Sequence, residues 1–250
     1  MFMKYAGALL FAATIASATP INVYFDFRGS GGSGTIGNSI SFQGYSDSAF
    51  TLPVALTVTV RAYGTGDSST GANGTTLKAA ALGQWGSGLG VCDGIEQGAI
   101  TGKPATRPCT DPHHRIDNSN SLNFVSFEFS SPVQAPVFIN LAYAGDTDVS
   151  YWWGSSVPGT ILGMNPSTQS GRIDEYNLGT SYNDLNGATG NSTMLLIGAK
   201  VGHTDDKFKF EALKLTWEEP PNDEVPEPAT LSLMGAALVG LGLYRRSRKA

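Results

Sequence analysis

Apolar and polar residues alternate with period two over long stretches of the chain, the pattern of strands that bury one face. Residues 21–27 (INVYFDF) and 54–63 (VALTVTVRAY) show it most clearly. Further strands are predicted over 38–43, 123–129 (NFVSFEF), 137–143 (VFINLAY), 149–153, 159–162, 193–200 and 207–217 (KFKFEALKLTW). Clusters of Gly, Pro, Asn, Asp and Ser separate these segments and supply turn chemistry. No central segment keeps a helical apolar stripe, and only 75–82 (TTLKAAAL) reads as a short helix. Strands joined by turns without crossover helices predict an all-β body over 19–217, a single antiparallel β-sandwich of jelly-roll or Ig-like type.

Both ends depart from that pattern. Residues 1–18 carry Lys4, an apolar stretch over 5–15 and the small-residue site Ala16-Ser17-Ala18. That layout predicts a secretory signal peptide, cut after Ala18 by signal peptidase. At the other end an acidic, proline-bearing linker over 218–224 (EEPPNDE) leads to an uncharged apolar run over 229–244, closed by Arg245, Arg246, Arg248 and Lys249. A helix over that run rises about 24 Å, the span of a thin bilayer. Basic residues stay on the cytoplasmic side, so the tail is predicted to be a hydrophobic anchor helix that holds an exported body in the membrane before processing.

Composition then narrows the partners. The chain has 250 residues, 31 of them glycine, with 15% charged residues and a net charge of −5. Glycine at that level suits many turns. Cleavage after Ala18 and after Glu227 would take away five basic residues and no acidic ones, leaving the body at about −10. Nucleic acid is excluded as a partner, because its affinity comes from Lys and Arg neutralising phosphates. Anionic polymers are disfavoured for the same reason, and neutral glycans, divalent-ion bridges or other proteins are favoured.

Catalytic signatures are missing. No G-x-S-x-G, H-E-x-x-H or P-loop pattern occurs. Gly29, Gly31 and Gly34 spell G-x-G-x-x-G, yet the following TIGNSISFQG cannot continue as the helix whose N-terminus would hold a phosphate, so a turn is expected. His113 and His114 are adjacent and His203 is distant, a poor basis for joint metal ligation. Asp146 and Asp148, two apart in an A-G-D-T-D turn, are the candidate metal ligands, with calcium the ion of that chemistry; Asp117, Asn118 and Asn120 form a comparable cluster. No other cofactor is expected. Trp152, Trp153 and Trp85 are the candidate ligand-stacking rings, although neighbours on a strand face opposite sides, which commits one of Trp152 and Trp153 to the core. In an exported body Cys92 and Cys109 are expected to form a disulfide. Its loop of about sixteen intervening residues corresponds to roughly 3 kcal/mol of chain entropy.

Residues of the tail resemble a known sorting device. Val225, Pro226, Glu227, Pro228 and Ala229, the glycine-bearing apolar run and the basic end look like a PEP-CTERM sorting signal over 225–250. The resemblance implies handling by an exosortase near Pro-Glu-Pro and a Gram-negative host that makes exopolysaccharide. A second resemblance covers part of the body. Gly88-Leu89-Gly90-Val91-Cys92, His114-Arg115-Ile116-Asp117-Asn118, Phe127-Glu128-Phe129 and Pro132-Val133 are similar to a pattern recurring in exosortase-dependent surface proteins, and it brings no catalytic residue with it. Together these imply a non-enzymatic protein of the cell surface or exopolysaccharide matrix. The alternatives are a calcium-stabilised carbohydrate-binding module and a carbohydrate-active enzyme, whose paired carboxylates need a spacing that sequence does not supply.

Overall fold

The computed structural model describes residues 19–32, 34–66, 73–92, 115–118, 121–142, 147–161, 172–173, 182–185, 187–201, 206–220 and 228–247. The chain forms two compact units, residues 20–218 and the two ends, 1–19 with 219–250.

Strands make up the first unit. In chain order they are β1 (Pro20–Asp26), β2 (Ser39–Tyr45), β3 (Pro53–Gly66), β4 (Asn73–Ala79), β5 (Ala81–Trp85), β6 (Gly88–Cys92) and β7 (Ile116–Asp117). Then follow β8 (Asn123–Ala142), β9 (Val149–Gly154), β10 (Arg172–Ile173), β11 (Asn183–Asp184), β12 (Asn191–Ala199) and β13 (Lys207–Glu218). All pair antiparallel, in the order β10-β9-β12-β8-β3-β2-β1-β13-β6-β5. The all-β, antiparallel expectation holds. Its sandwich subtype finds no support, because the hydrogen-bonded path runs as one sheet and closes on itself.

The closure depends on β8. Predicted as two strands, 123–129 and 137–143, it is one strand of 20 residues. Its first half pairs with β3, from Val58↔Phe129 to Gly64↔Asn123, and its second half pairs with β13, from Lys209↔Ala142 to Thr216↔Gln134. Strands β8, β3, β2, β1 and β13 therefore form a ring. The change of partner falls around Pro132 and Pro136, which have no N–H to give to a ladder.

Alternation fills the ring. Val23, Phe25 and Phe27, then Leu56, Val58 and Val60, and from β13 Leu213, Leu215 and Trp217 are all fully or almost fully buried in one core. Phe27 meets Phe127 at 5.1 Å between ring centres, and Phe127 meets Phe210 edge-on at 5.4 Å. Each such ring contributes on the order of 1.5–3 kcal/mol by leaving water.

Two local expectations fail. Residues 75–82 form no helix, because β4 pairs with β3 (Tyr63↔Ala79, Gly64↔Lys78) and β5 pairs with β6. Alanine's helix preference is weak against burial, and Ala80 and Ala81 are small enough to enter the core, 0% and 1% exposed. The strand predicted over 159–162 reduces to one bridge, Thr76↔Thr160, with Leu162 outside the described residues. The glycine-rich stretch is a turn laid along β5, with Gly29 N–H donating to the Trp85 carbonyl at 3.0 Å and Gly34 N–H to that of Leu82 at 3.1 Å; no helix follows it.

In the second unit α1 (Pro228–Ser247) forms the expected tail helix. Among the described residues, however, no helix is long and apolar enough to cross a membrane, which corrects the expectation of a spanning anchor. The uncharged run is short of the about 20 apolar residues a bilayer core needs, and Thr230, Ser232 and three glycines dilute it. The expected signal peptide, 1–18, lies outside the described residues.

Candidate functional site

The tail helix carries the clearest chemistry. Pro228 opens it, where a missing N–H costs nothing, and Arg245 and Arg246 fall in its last turn, complementing the helix dipole. Leu233, Met234, Leu238, Val239, Leu241 and Tyr244 are 57–72% exposed. Val225, Pro226, Glu227, Arg248 and Lys249 lie outside the described residues, while Pro228 and Ala229 form the first turn.

The three candidate tryptophans are separated. Trp153 points into the core at 6% exposure and donates its indole N–H to the Thr189 carbonyl at 3.2 Å. Its remaining edge lines a cleft of about 500 Å³ with Pro132, Ser155, Asn191 and Thr193. Trp152 faces the other side of the sheet, in a second apolar cluster with Phe124, Ile161, Met194 and Leu196 that Tyr63, Leu77 and Val157 also join. Trp85 lies over Gly83, where a Cβ would stand 2.0 Å from its ring, and the Lys209 ammonium sits 4.6 Å from the ring centre. Trp153 is thus a core residue, while Trp152 and Trp85 are half-buried and stand apart from it rather than in one array.

Asp146 lies outside the described residues. Asp148 opens onto the end of the Trp152 face, where its carboxylate holds the Lys200 ammonium at 2.5 Å, side chains 5% and 2% exposed. Asn118 joins the same buried group: its amide N–H bonds the Asp206 carboxylate at 2.5 Å and the Lys200 carbonyl at 3.2 Å. Lys200 N–H donates in turn to Asp206 at 3.2 Å. Thus the structure brings Asp148 and Asn118 into one network, though through lysine and Asp206, two residues that sequence reasoning did not single out. Among the described residues no three His, Cys, Asp or Glu gather as metal ligands. His113, His114, His203 and Asn120 lie outside them.

Cys92 ends β6, 1% exposed, and is no free thiol. Cys109 lies outside the described residues. The turn before β6 depends on Gly88, at φ +108°, where a Cβ would meet the Phe210 carbonyl oxygen at 2.0 Å. This explains the first glycine of Gly-Leu-Gly-Val-Cys physically.

A further constellation lies on the ring's outer face. Strand register aligns Tyr45 with Tyr24, Tyr24 with Lys214, Lys214 with Phe138 and Phe138 with Asp184, one row across β2, β1, β13, β8 and β11. These side chains alternate with core positions, so they leave the core by strand geometry. All five are half-buried, and the Lys214 ammonium lies 5.0 Å from the Phe138 ring centre and 5.7 Å from that of Tyr24. Tyr182 stands edge-on to Tyr24 at 5.9 Å, and Phe50 edge-on to Tyr45 at 5.9 Å. Beside the row Arg28 is held by Asp26 at 2.8 Å and by Glu211 at 3.4 Å. That hydrogen bond with Asp26 raises the guanidinium's proton affinity. Burial pushes the Tyr182 hydroxyl up to about 12, keeping it a neutral donor. The signal was present in INVYFDF, which places an aromatic at an outward slot between two core positions.

Comparison with known proteins identifies the tail. Residues 224–249 match the PEP-CTERM protein-sorting motif. No curated protein and no solved structure matches the chain. The motif implies exosortase-dependent sorting of an exported protein to the cell envelope surface.

Proposed function

We propose that the chain is a non-catalytic protein of the cell surface or exopolysaccharide matrix of a Gram-negative bacterium, delivered by its tail and acting through binding by its body. The sorting motif at 224–249 is the observation that carries this reading. Signal peptidase removes residues 1–18, exosortase acts near Pro226-Glu227-Pro228, and the oxidising exterior closes Cys92 onto Cys109. The exposed apolar side chains Leu233, Met234, Leu238, Val239 and Leu241 of α1 support a segment made to meet lipid or processing machinery, since soluble proteins seldom expose such a cluster. Lysine already neutralises Asp148, which favours a body without calcium; an unchanged melting temperature on adding and chelating the ion is expected.

Replacing Pro226, Glu227 and Pro228 by alanine tests the reading. The expected outcome is an unprocessed precursor that fails to reach the surface, seen by immunoblotting of cell fractions. Unchanged processing and delivery would overturn it.

A further inference from the structure

We infer that the outward row Tyr45–Tyr24–Lys214–Phe138 is a binding platform for a neutral polysaccharide chain lying across the strands. The inference rests on the reading of the body as a surface binding protein and names its ligand class.

Geometry supplies the first reason. Neighbouring strands stand about 4.8 Å apart, so Tyr45 and Tyr24 are one strand step apart, and Tyr24 and Phe138 two, near about 9.6 Å. One and two steps match the scale of one and two sugar units in an extended polysaccharide. The rings can meet the C–H faces of successive sugars, the use to which half-exposed aromatics with a wet rim are suited.

The polar flank supplies the second. The Lys214 ammonium lies between two of the rings as a hydroxyl-directed donor. Asp26 accepts Arg28 Nε at 2.8 Å and a second guanidinium N–H at 3.0 Å, and Asn140 donates to Glu211 at 3.3 Å. Gln134 donates to Glu218 at 2.7 Å. Groups already tied together lose little freedom when a ligand arrives. Charge supplies the third reason. The cations Arg28 and Lys214 are outnumbered by Asp26, Glu211, Asp184 and Glu218 in and beside the row, so the surface has no positive excess for an anionic chain.

Affinity electrophoresis of the purified full chain tests this, using native gels cast with dextran, hydroxyethylcellulose or galactomannan, and with alginate as the anionic arm. Retardation is expected in at least one neutral gel and absent in alginate. Tyr24→Ala and Phe138→Ala should each weaken it about tenfold. Tyr24→Phe and Phe138→Tyr should keep it, and melting curves on all four variants separate lost binding from lost folding. Asn191→Ala, in the cleft beside Trp153, should leave it unchanged. No retardation in any neutral gel, retardation in alginate, survival of binding in both alanine variants, or loss confined to Asn191→Ala would overturn the platform. Surface delivery of the alanine variants is followed in parallel: normal delivery without glycan binding sinks the platform alone, while the sorting reading stands or falls by the Pro-Glu-Pro replacement.

Discussion

Strand β8 contributes to two outer faces with opposite fates. Its first half sends Phe124 outward into a cluster with Met194, Leu196 and Trp152, which Leu77, Val157 and Ile161 help seal, and Phe124 is wholly buried. The second half sends Phe138 outward into the row with Lys214 and Tyr24, where it stays half-exposed. Both residues occupy the same parity of the same alternating strand. What separates them is whether β4 and the 155–161 segment lie above. Alternation therefore tells which side chains leave the core, while the cover decides which of those become surface. The expected ligand residue Trp152 packs half-buried against the covered cluster, and the unexpected residues Tyr24 and Phe138 belong to the row without that cover.

The largest test of this difference is the ion pair at the sealed end. Lys200→Ala should cost about 3–5 kcal/mol in urea unfolding, because it strands the Asp148 carboxylate in a buried site where Oδ1 already meets no donor among the described residues. Lys200→Met combined with Asp148→Leu should recover most of that loss, since apolar replacements remove both charges together. A cost below about 1 kcal/mol for Lys200→Ala would mean that water reaches the pair.

Next come the two outward aromatics. Trp152→Ala is expected to lower stability by about 2–3 kcal/mol, below the range for a fully buried ring because it is half-exposed. Phe138→Ala should cost less than about 1 kcal/mol, as surface changes do. Equal costs in denaturant titration would erase the distinction between the faces.

The smallest effect lies in alkaline pH. Burial pushes both Tyr151, whose hydroxyl donates to the Leu185 carbonyl at 3.5 Å, and Tyr182 up to about 12. A phenol that ionises near 10 when unfolded and near 12 when folded leaves stability flat below pH 10, and stability falls as pH rises from 10 to 12. Tyr151→Phe should flatten that limb more than Tyr182→Phe, because solvent screens the half-exposed ring. Melting temperatures across the window decide it, and a steeper limb in Tyr151→Phe would contradict the burial cause.

Much of the sheet was legible because period two is imposed by the backbone itself. Val23, Phe25 and Phe27 announced β1, and Leu213, Leu215 and Trp217 announced β13. The hairpin of β5 and β6 was not, since Ala81, Gly83 and Gly90 carry little β preference, although they pair locally with one another's strands. Nor could spacing reveal that Asn118 would meet Asp206, 88 residues later. Among the candidate residues the sorting motif of the tail was readable, as it is local: an enzyme reads a short run of chain. Trp85 was a candidate stacking ring, yet its ring lies against Gly83, where only a missing Cβ leaves room, with the Lys209 ammonium over it.

By itself the sequence determined what depends on neighbours along the chain: strand alternation, the turn chemistry, the sorting tail and the acidic excess of the body. Only the tertiary structure decided that β8 would join two partners and close the ring, that Lys200 would claim Asp148, and that Tyr45, Tyr24, Lys214 and Phe138 would stand in one row. Each of these depends on register between strands distant in sequence, and register is set by the packing of the whole core.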